Sequence, residues 1–393
     1  MMHNSEDLYI DTPQALAELV EALAGESWLA LDTEFLRERT YYAQLCLIQV
    51  ATPNLVACVD PLRLPNLAPL LGVIHDQAKT KVLHSAHQDL EIFYYLSGSV
   101  PAPIFDTQLA AALLGFAEQI GYAALVEDLL GVNLDKTHAR TDWSRRPLSA
   151  EQIRYAADDV RFLAQIYPML VEKLDAKQRR DWLADDFTAL SSPQRYETPA
   201  PEAWRRVSGA SQLKAHQRAV LKMLAAWREQ TAQQRNKPRR WIVADDALLE
   251  LARRTPKSVA DLEKLRSLPP DAARKYGPEL VEHIAAGQAL PQDQWPSSPP
   301  KLRLTQAQEA VVDAAMALLK TCALEQGVSP PSLASRRDVE RIVAGERDHP
   351  LLQGWRRAVA GRQLLALLEG NVGLVVEQGS VMLIDKAETD VSG

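Results

Sequence analysis

The 393-residue sequence contains little cysteine and no long uncharged apolar run. Its three cysteines, Cys46, Cys58 and Cys322, are odd in number and form no CxxC pair. This argues against a disulfide framework or a zinc site and favours a reducing cytosol. Because no stretch of ~18 uncharged apolar residues is present, we expect no transmembrane helix. The first eight residues also lack the apolar segment of a signal peptide. These absences predict a cytoplasmic protein that does not associate with membranes.

Two breaks in composition divide the chain. Hydrophobic residues make up 47% of the sequence, enough for sizeable cores, and at roughly 150 residues per domain the length suggests two or three domains. The segments 191–201 and 291–300 are rich in Pro and Ser, which is typical of linkers. The end of the chain after Asp385 is expected to be frayed. We therefore predict a first domain at 1–195, helical domains at 205–290 and 300–375, and a C-terminal tail at 376–393.

The first domain alternates strand and helix signals. Thr12 followed by Pro13 predicts the start of a helix. Strands alternating with helices predict a mixed sheet flanked by helices, whereas the chain beyond residue 201 has almost only helical patterns. The predicted strands are 28–31, 45–50, 55–59 and 81–83, and the predicted helices include 87–96 and those that lead up to residue 177.

Two acidic residues follow the apolar run 28–31. Asp32 and Glu34 are two residues apart, so in an extended strand their side chains point to the same face. Neighbouring carboxylates repel each other, and a cation between them would relieve the repulsion. Oxygen ligands favour Mg²⁺ or Mn²⁺. For this pair alone, a solvated turn after an edge strand is the favoured interpretation.

Three further polar residues come from two later helices. Asp89 lies in the first turn of one helix, where the helix dipole favours a carboxylate and capping alone could explain it. Ser149 and Gln152 form a capping-box pattern that starts the other helix. On that helix Tyr155 and Asp159 are four residues apart and share one face. By themselves these two are also compatible with an ordinary amphipathic helix.

The order of these groups is more specific than any one of them. An acid-Thr-acid triplet, an Asp at a helix start and a later Tyr-x-x-x-Asp resemble the DEDD exonucleases, and within them the ribonuclease D family. Tyr155 stands four residues before Asp159, which selects the tyrosine branch; the histidine branch has His where this sequence has Arg154. Ser85 stands where many relatives carry Asn. Other strings that agree with the family are Tyr41-Tyr42-Ala43-Gln44-Leu45, Phe105-Asp106-Thr107 and Arg140-Thr141-Asp142-Trp143.

The resemblance implies an α/β ribonuclease H-like exonuclease domain followed by two all-α HRDC (helicase-and-RNase-D C-terminal) bundles. It also implies hydrolysis of phosphodiester bonds with two divalent ions, Mg²⁺ or Mn²⁺. Asp32 would bridge both ions, Glu34 and Asp159 would complete one site, and Asp89 would hold the second ion. Tyr155 would orient the attacking water. Residues of the first motif, Thr33 and Phe35 among them, are expected to contact the substrate.

The net charge of −7 conceals a basic segment. Residues 201–290 contain 17 Lys and Arg against 10 Asp and Glu, and this segment resembles an HRDC domain, a small nucleic-acid-binding bundle. The region 300–375 looks like a degenerate second copy. Basic residues near an aromatic one suit phosphate contacts and base stacking, although a solvated helix end is an equal alternative. The candidate RNA contacts are Arg235, Lys237, Arg239 and Arg240, next to Trp241.

The family implied by these motifs predicts the function. We expect a 3′→5′ exoribonuclease that trims tRNA precursors and other small structured RNAs with a single-stranded 3′ end and releases 5′-mononucleotides. A DNA exonuclease of the same superfamily is the enzymatic alternative, and an inactive RNA-binding scaffold is the other. All four metal-binding carboxylates are present, which disfavours the scaffold. No heptad pattern suggests an obligate oligomer, so a monomer is expected.

Overall fold

The computed structural model describes residues 7–135, 137–138, 141–297 and 302–385. Some of the sequence expectations lie outside these ranges, namely Arg140, the Ser298–Pro300 part of the second proposed linker and the end of the chain after Asp385. Among the described residues, none of the helices is both long enough and apolar enough to cross a membrane.

Six strands form one mixed sheet in the N-terminal region. They are β1 (Leu8–Ile10), β2 (Trp28–Leu36), β3 (Gln44–Thr52), β4 (Leu55–Val59), β5 (Thr80–Leu83) and β6 (Ile104–Asp106). The spatial order is β1-β4-β3-β2-β5-β6, with β3 antiparallel to β2 and β4 and the other neighbours parallel. Strand β2 continues five residues past the predicted end at Leu31, because β3 pairs with it as far as Leu36. The acidic triplet 32–34 therefore lies within the strand and not after it.

Helices cover both faces of this sheet. They are α1 (Pro13–Leu23), α2 (Ala68–Ile74), α3 (His87–Ser97), α4 (Thr107–Ala112), α5 (Tyr122–Leu130), α6 (Ala150–Ala176) and α7 (Ala184–Leu190). Thr12 caps α1, and the capping box of Ser149 and Gln152 starts α6, as their sequence patterns predict. One face packs on α1, α2 and α3, and the opposite face packs on α6. Because both faces are covered, β3 and β4 are buried along nearly their whole length.

The rest of the described chain forms two mainly helical modules with separate hydrophobic cores. The second module also contains an antiparallel hairpin, which was not predicted. Its first strand crosses the expected domain boundary at residue 375. Leu374 on the first strand and Leu383 on the second pack against the helical core. The first module consists of α8 (Ala215–Gln234), α9 (Arg239–Ile242), α10 (Asp245–Arg254), α11 (Val259–Leu262) and α12 (Pro270–Ala289). The second consists of α13 (Gln306–Gln326), α14 (Arg336–Val343), α15 (Gly354–Arg356), α16 (Arg362–Leu368), β7 (Val372–Glu377) and β8 (Ser380–Asp385).

Both modules are fastened to the α/β domain. The proposed linker 191–201 packs as short 3₁₀ turns, and in it Tyr196 is buried and donates a hydrogen bond to the Leu190 carbonyl (2.6 Å). For the second module, Trp182 stacks on Trp355 with ring centroids 4.8 Å apart. A packed tyrosine, which the Pro- and Ser-rich composition of the segment does not reveal, explains why this linker is ordered.

Candidate active site

Strand β2 places two carboxylates on the sheet face covered by α6. Asp32 and Glu34 are separated by one residue and therefore share a face. The register pairs Asp32 with Gln49 and Glu34 with Leu47 on β3. The apolar residues of this face and of α6 form one core; they include Ala30, Leu47, Ala51, Ala156, Ala157 and Val160.

Thr33, between the two acids, points to the opposite face and holds Asp89. It is 5% exposed, and its hydroxyl donates a 2.5 Å hydrogen bond to Oδ1 of Asp89 in the first turn of α3. Asp89 is itself only 7% exposed. The side chain of Thr33, expected to contact substrate, is thus used to orient a carboxylate. Phe35 is half-buried and packs against the core beneath α1, α2 and α3.

A sharp turn between β5 and α3 sets the position of Asp89. Ser85 adopts a left-handed backbone (φ 58°), a conformation that Asn tolerates better than most residues. Asp106, at the end of β6, accepts hydrogen bonds from the backbone N–H groups of Ser85 (3.1 Å) and Ala86 (2.9 Å). These two hydrogen bonds give Asp106 a structural role that its family string alone did not reveal.

Helix α6 contributes Tyr155 and Asp159 from one face. Both line a cavity of about 350 Å³. The ring of Tyr155 lies against His138 and Trp143, with centroid distances of 5.9 and 6.1 Å. Asp158 also borders this cavity, but its carboxylate accepts a 2.8 Å hydrogen bond from Arg161.

Burial raises the pKa of all four carboxylates, and the charges of neighbouring acidic groups raise it further. Burial, and then the charges of Asp89, Asp159 and Glu34, raise the pKa of Asp32 well above its ordinary value. Burial followed by Asp159 and Asp89 raises the pKa of Glu34 to about 8. Burial is also the main cause for Asp159, whose pKa rises to about 7, and for Asp89, whose pKa rises to about 6. Carboxylates on β2, α3 and α6 therefore interact electrostatically within one site.

The donor set suits divalent cations by its chemistry. Four carboxylates that resist simultaneous ionisation are relieved by positive charge, and hard oxygen donors are the ligands that Mg²⁺ and Mn²⁺ prefer. Within the part of the chain that the structure describes, no three His, Cys, Asp or Glu side chains stand in a preformed metal-holding arrangement. The fit therefore depends on charge and ligand type, not on a rigid cage.

Two histidines, His84 and His87, lie near the start of α3. His84 is held between the Thr107 hydroxyl (2.9 Å) and the Ile120 carbonyl (3.0 Å), and burial lowers its pKa. His87 stacks on Tyr196 with ring centroids 5.2 Å apart. Packing and hydrogen bonds therefore account for the positions of both rings.

Three of the four predicted RNA-binding cations are exposed, but Arg239 is engaged elsewhere. Its guanidinium donates to both carboxylate oxygens of Glu229 (2.5 and 2.6 Å) and to the Tyr41 hydroxyl (2.9 Å). Tyr41 lies in the loop after β2, so these groups join the first helical module to the α/β domain. The guanidinium of Arg239, predicted as an RNA contact, is therefore engaged at the interface between this module and the α/β domain. The exposed cations are Arg235, Lys237 and Arg240, beside Trp241, which is 51% exposed.

The same junction contains Asn236, the residue after Arg235. Asn236 has a left-handed backbone (φ 45°) that directs its side chain to the loop after β2. Its Oδ1 accepts hydrogen bonds from the backbone N–H groups of Tyr41 (3.0 Å) and Tyr42 (3.1 Å). The first module thus contacts the chain seven residues beyond Glu34.

Comparison with known proteins agrees with this arrangement. A family model described as 3′-5′ exonuclease matches residues 8–175, and an HRDC domain model matches residues 217–284. Ribonuclease D of Gluconacetobacter diazotrophicus is 40% identical to this chain over 375 residues, and the alignment covers 95% of each chain. Ribonuclease D of Bartonella henselae is 37% identical over 363 residues, and that alignment covers 91% of this chain and 89% of the other. The crystal structure of Escherichia coli RNase D, described as an exoribonuclease involved in structured RNA processing, superposes with a TM-score of 0.82 at 33% identity and covers 93% of this chain and 99% of the other. The chain therefore belongs to the ribonuclease D family of 3′–5′ exoribonucleases.

Proposed function

We propose that this enzyme removes 3′-terminal nucleotides from tRNA precursors and other small structured RNAs by hydrolysis with two divalent ions. The observation that supports the proposal is the convergence of Asp32, Glu34, Asp89 and Asp159, whose pKa values are raised by burial and by neighbouring acidic groups. When bound, the ions would lower the pKa of the attacking water and stabilise charge on the attacking and leaving oxygens. Asp32 would contact both ions, Glu34 and Asp159 one of them, and Asp89 the other.

Tyr155 would orient the attacking water and would not deprotonate it. Burial, followed by the charges of Asp159 and Glu34, raises the pKa of its phenol well above 10. The hydroxyl therefore keeps its proton at neutral pH and acts as a hydrogen-bonding group. Water attacks the last phosphorus, the P–O3′ bond breaks, and a 5′-mononucleotide leaves while the shortened strand gains a 3′ hydroxyl.

The exposed part of the first helical module would hold the RNA strand. Lys237 lies 5.9 Å from the ring of Trp241, which is exposed, and Arg235 and Arg240 are exposed nearby, so positive charge and a stacking surface occur together. Such a combination binds single strands through phosphate contacts and base stacking. This arrangement favours substrates with a single-stranded 3′ end.

The substrate class can be tested with a 5′-labelled tRNA that carries a 3′ extension and with single-stranded DNA of the same extension sequence. We expect wild-type enzyme with Mg²⁺ or Mn²⁺ to shorten the RNA one nucleotide at a time and to release 5′-mononucleotides. The Asp32→Asn variant should be at least 100-fold slower, because one carboxylate charge is lost from the site. Faster degradation of the DNA would favour a DNA exonuclease. Unchanged trimming by the variant would contradict the two-ion assignment.

A further inference from the structure

Gln49 is a buried amide that the folded chain leaves without partners. It lies in the middle of β3 and is 0% exposed. Five buried side-chain polar atoms lack a hydrogen-bond partner among the described residues, and two of them are its Nε2 and Oε1. Buried polar groups are nearly always paired, since an unpaired one destabilises the fold. An unpaired glutamine at this position therefore requires an explanation other than stability.

The sheet register places this amide beside the catalytic carboxylates. On β3, Gln49 lies directly opposite Asp32 of β2. Directly opposite residues of an antiparallel pair project from the same face with Cβ atoms about 4.5–5.5 Å apart. This is the face covered by α6, which carries Tyr155 and Asp159.

The other sheet neighbours of Gln49 do not use the amide. Along β3 its same-face neighbours are Leu47 and Ala51, which are apolar. On the opposite side it pairs with Cys58 of β4, whose thiol contacts the Ile153 carbonyl at 3.7 Å. The position directly opposite Gln49 on β2 carries a strong acceptor, the Asp32 carboxylate, and it is closer than Glu34, which lies on the diagonal.

We propose that Gln49 is a positioning residue for Asp32: its Nε2 donates a hydrogen bond to the Asp32 carboxylate when divalent ions occupy the site. The amide then fixes the orientation of the carboxylate that would contact both ions, and the fold retains it at the expense of stability. The inference rests on the proposed two-ion function. Partners that orient a metal ligand commonly change metal affinity or activity 10–100-fold when they are removed.

The test compares Gln49→Met, which keeps the length of the side chain but removes its polar atoms, with Ile48→Val as the control. Ile48 is fully buried on the opposite face of the same strand. For Gln49→Met we expect the melting temperature in EDTA to rise by roughly 2–4 °C, because an unpaired amide is removed. We also expect weaker Mn²⁺ binding by calorimetry and a kcat about 10-fold lower with little change in KM. The control should lower the melting temperature slightly and retain kcat.

Two results would overturn the proposal. A lower melting temperature for Gln49→Met would mean that the amide serves packing, whatever happens to kcat, and unchanged Mn²⁺ affinity and kcat would mean that it has no role in the site. If Gln49→Met does not fold, Gln49→Leu takes its place in the same three measurements. The Mn²⁺ affinities do not depend on RNA trimming, so a wild-type enzyme inactive on RNA would refute the proposed function and still leave this comparison decisive.

Discussion

Without divalent ions, the active-site carboxylates should make the protein less stable as the pH rises. In the unfolded chain, Glu34 ionises near its ordinary pKa of 4.5, but in the folded protein its pKa is about 8. Between these values the folded state holds a proton that the unfolded state has released. Stability therefore falls as the pH rises through this window and levels off above about pH 8. Asp159 and Asp89, whose pKa values are also raised, act in the same direction.

The size of the effect follows from the shift at Glu34. At 1.36 kcal/mol per pKa unit, a rise from 4.5 to about 8 corresponds to on the order of 5 kcal/mol. Glu34 is partly exposed and its ionisation depends on its acidic neighbours, so we expect about 2–3 kcal/mol from this residue. Replacing Glu34 by Gln should remove this penalty and raise the melting temperature in EDTA at pH 8 by roughly 5–10 °C.

Thermal unfolding of wild type, Glu34→Gln and a matched control gives the test. Glu21→Gln changes an exposed carboxylate on α1 and serves as the control. The advantage of Glu34→Gln over wild type should be small at pH 5, large at pH 8 in EDTA, and reduced at pH 8 when Mn²⁺ is added. If wild type and Glu34→Gln showed the same pH dependence in EDTA, or if Glu34→Gln were less stable at pH 8, the reasoning would be refuted.

Two further predictions concern the first helical module. The hydroxyl of Tyr41 donates to the buried carboxylate of Glu229, so Tyr41→Phe should lower the free energy of unfolding by about 1.5–3 kcal/mol in a denaturant titration. Tyr94→Phe, which removes an exposed hydroxyl, should have little effect in the same titration. Arg240→Ala should weaken RNA binding and reduce the slope of log affinity against log salt by about 0.7, as loss of one phosphate contact to a single strand predicts. An unchanged salt slope would exclude Arg240 as a phosphate contact.

Short-range periodicity was sufficient to predict how the candidate residues are arranged within each element. Alternation along a strand predicts that Asp32 and Glu34 share a face, and four-residue spacing on a helix does the same for Tyr155 and Asp159; both arrangements are present. The resemblance to ribonuclease D then predicts that these elements converge with Asp89. The exonuclease fold, the family and the HRDC region are confirmed, and the roles of the individual residues stay predictions.

Long-range pairing explains what the sequence did not predict. Arg239 is separated from Tyr41 by 198 positions, so its use at a domain interface could not be predicted from a local basic cluster. Gln49 is unremarkable in an apolar run, and only the register opposite Asp32 gives it significance. The hairpin of the second module was missed because its strands are short and only partly buried. Apolar and polar residues therefore alternate only weakly along them.

The most direct test of the two-ion account is a crystal soaked with Mn²⁺ and examined by anomalous scattering. The account predicts two ions about 3.5–4 Å apart, both within ligand distance of Asp32, with Glu34 and Asp159 around one and Asp89 at the other. Ions bound elsewhere, or a single ion without contact to Asp32, would contradict it.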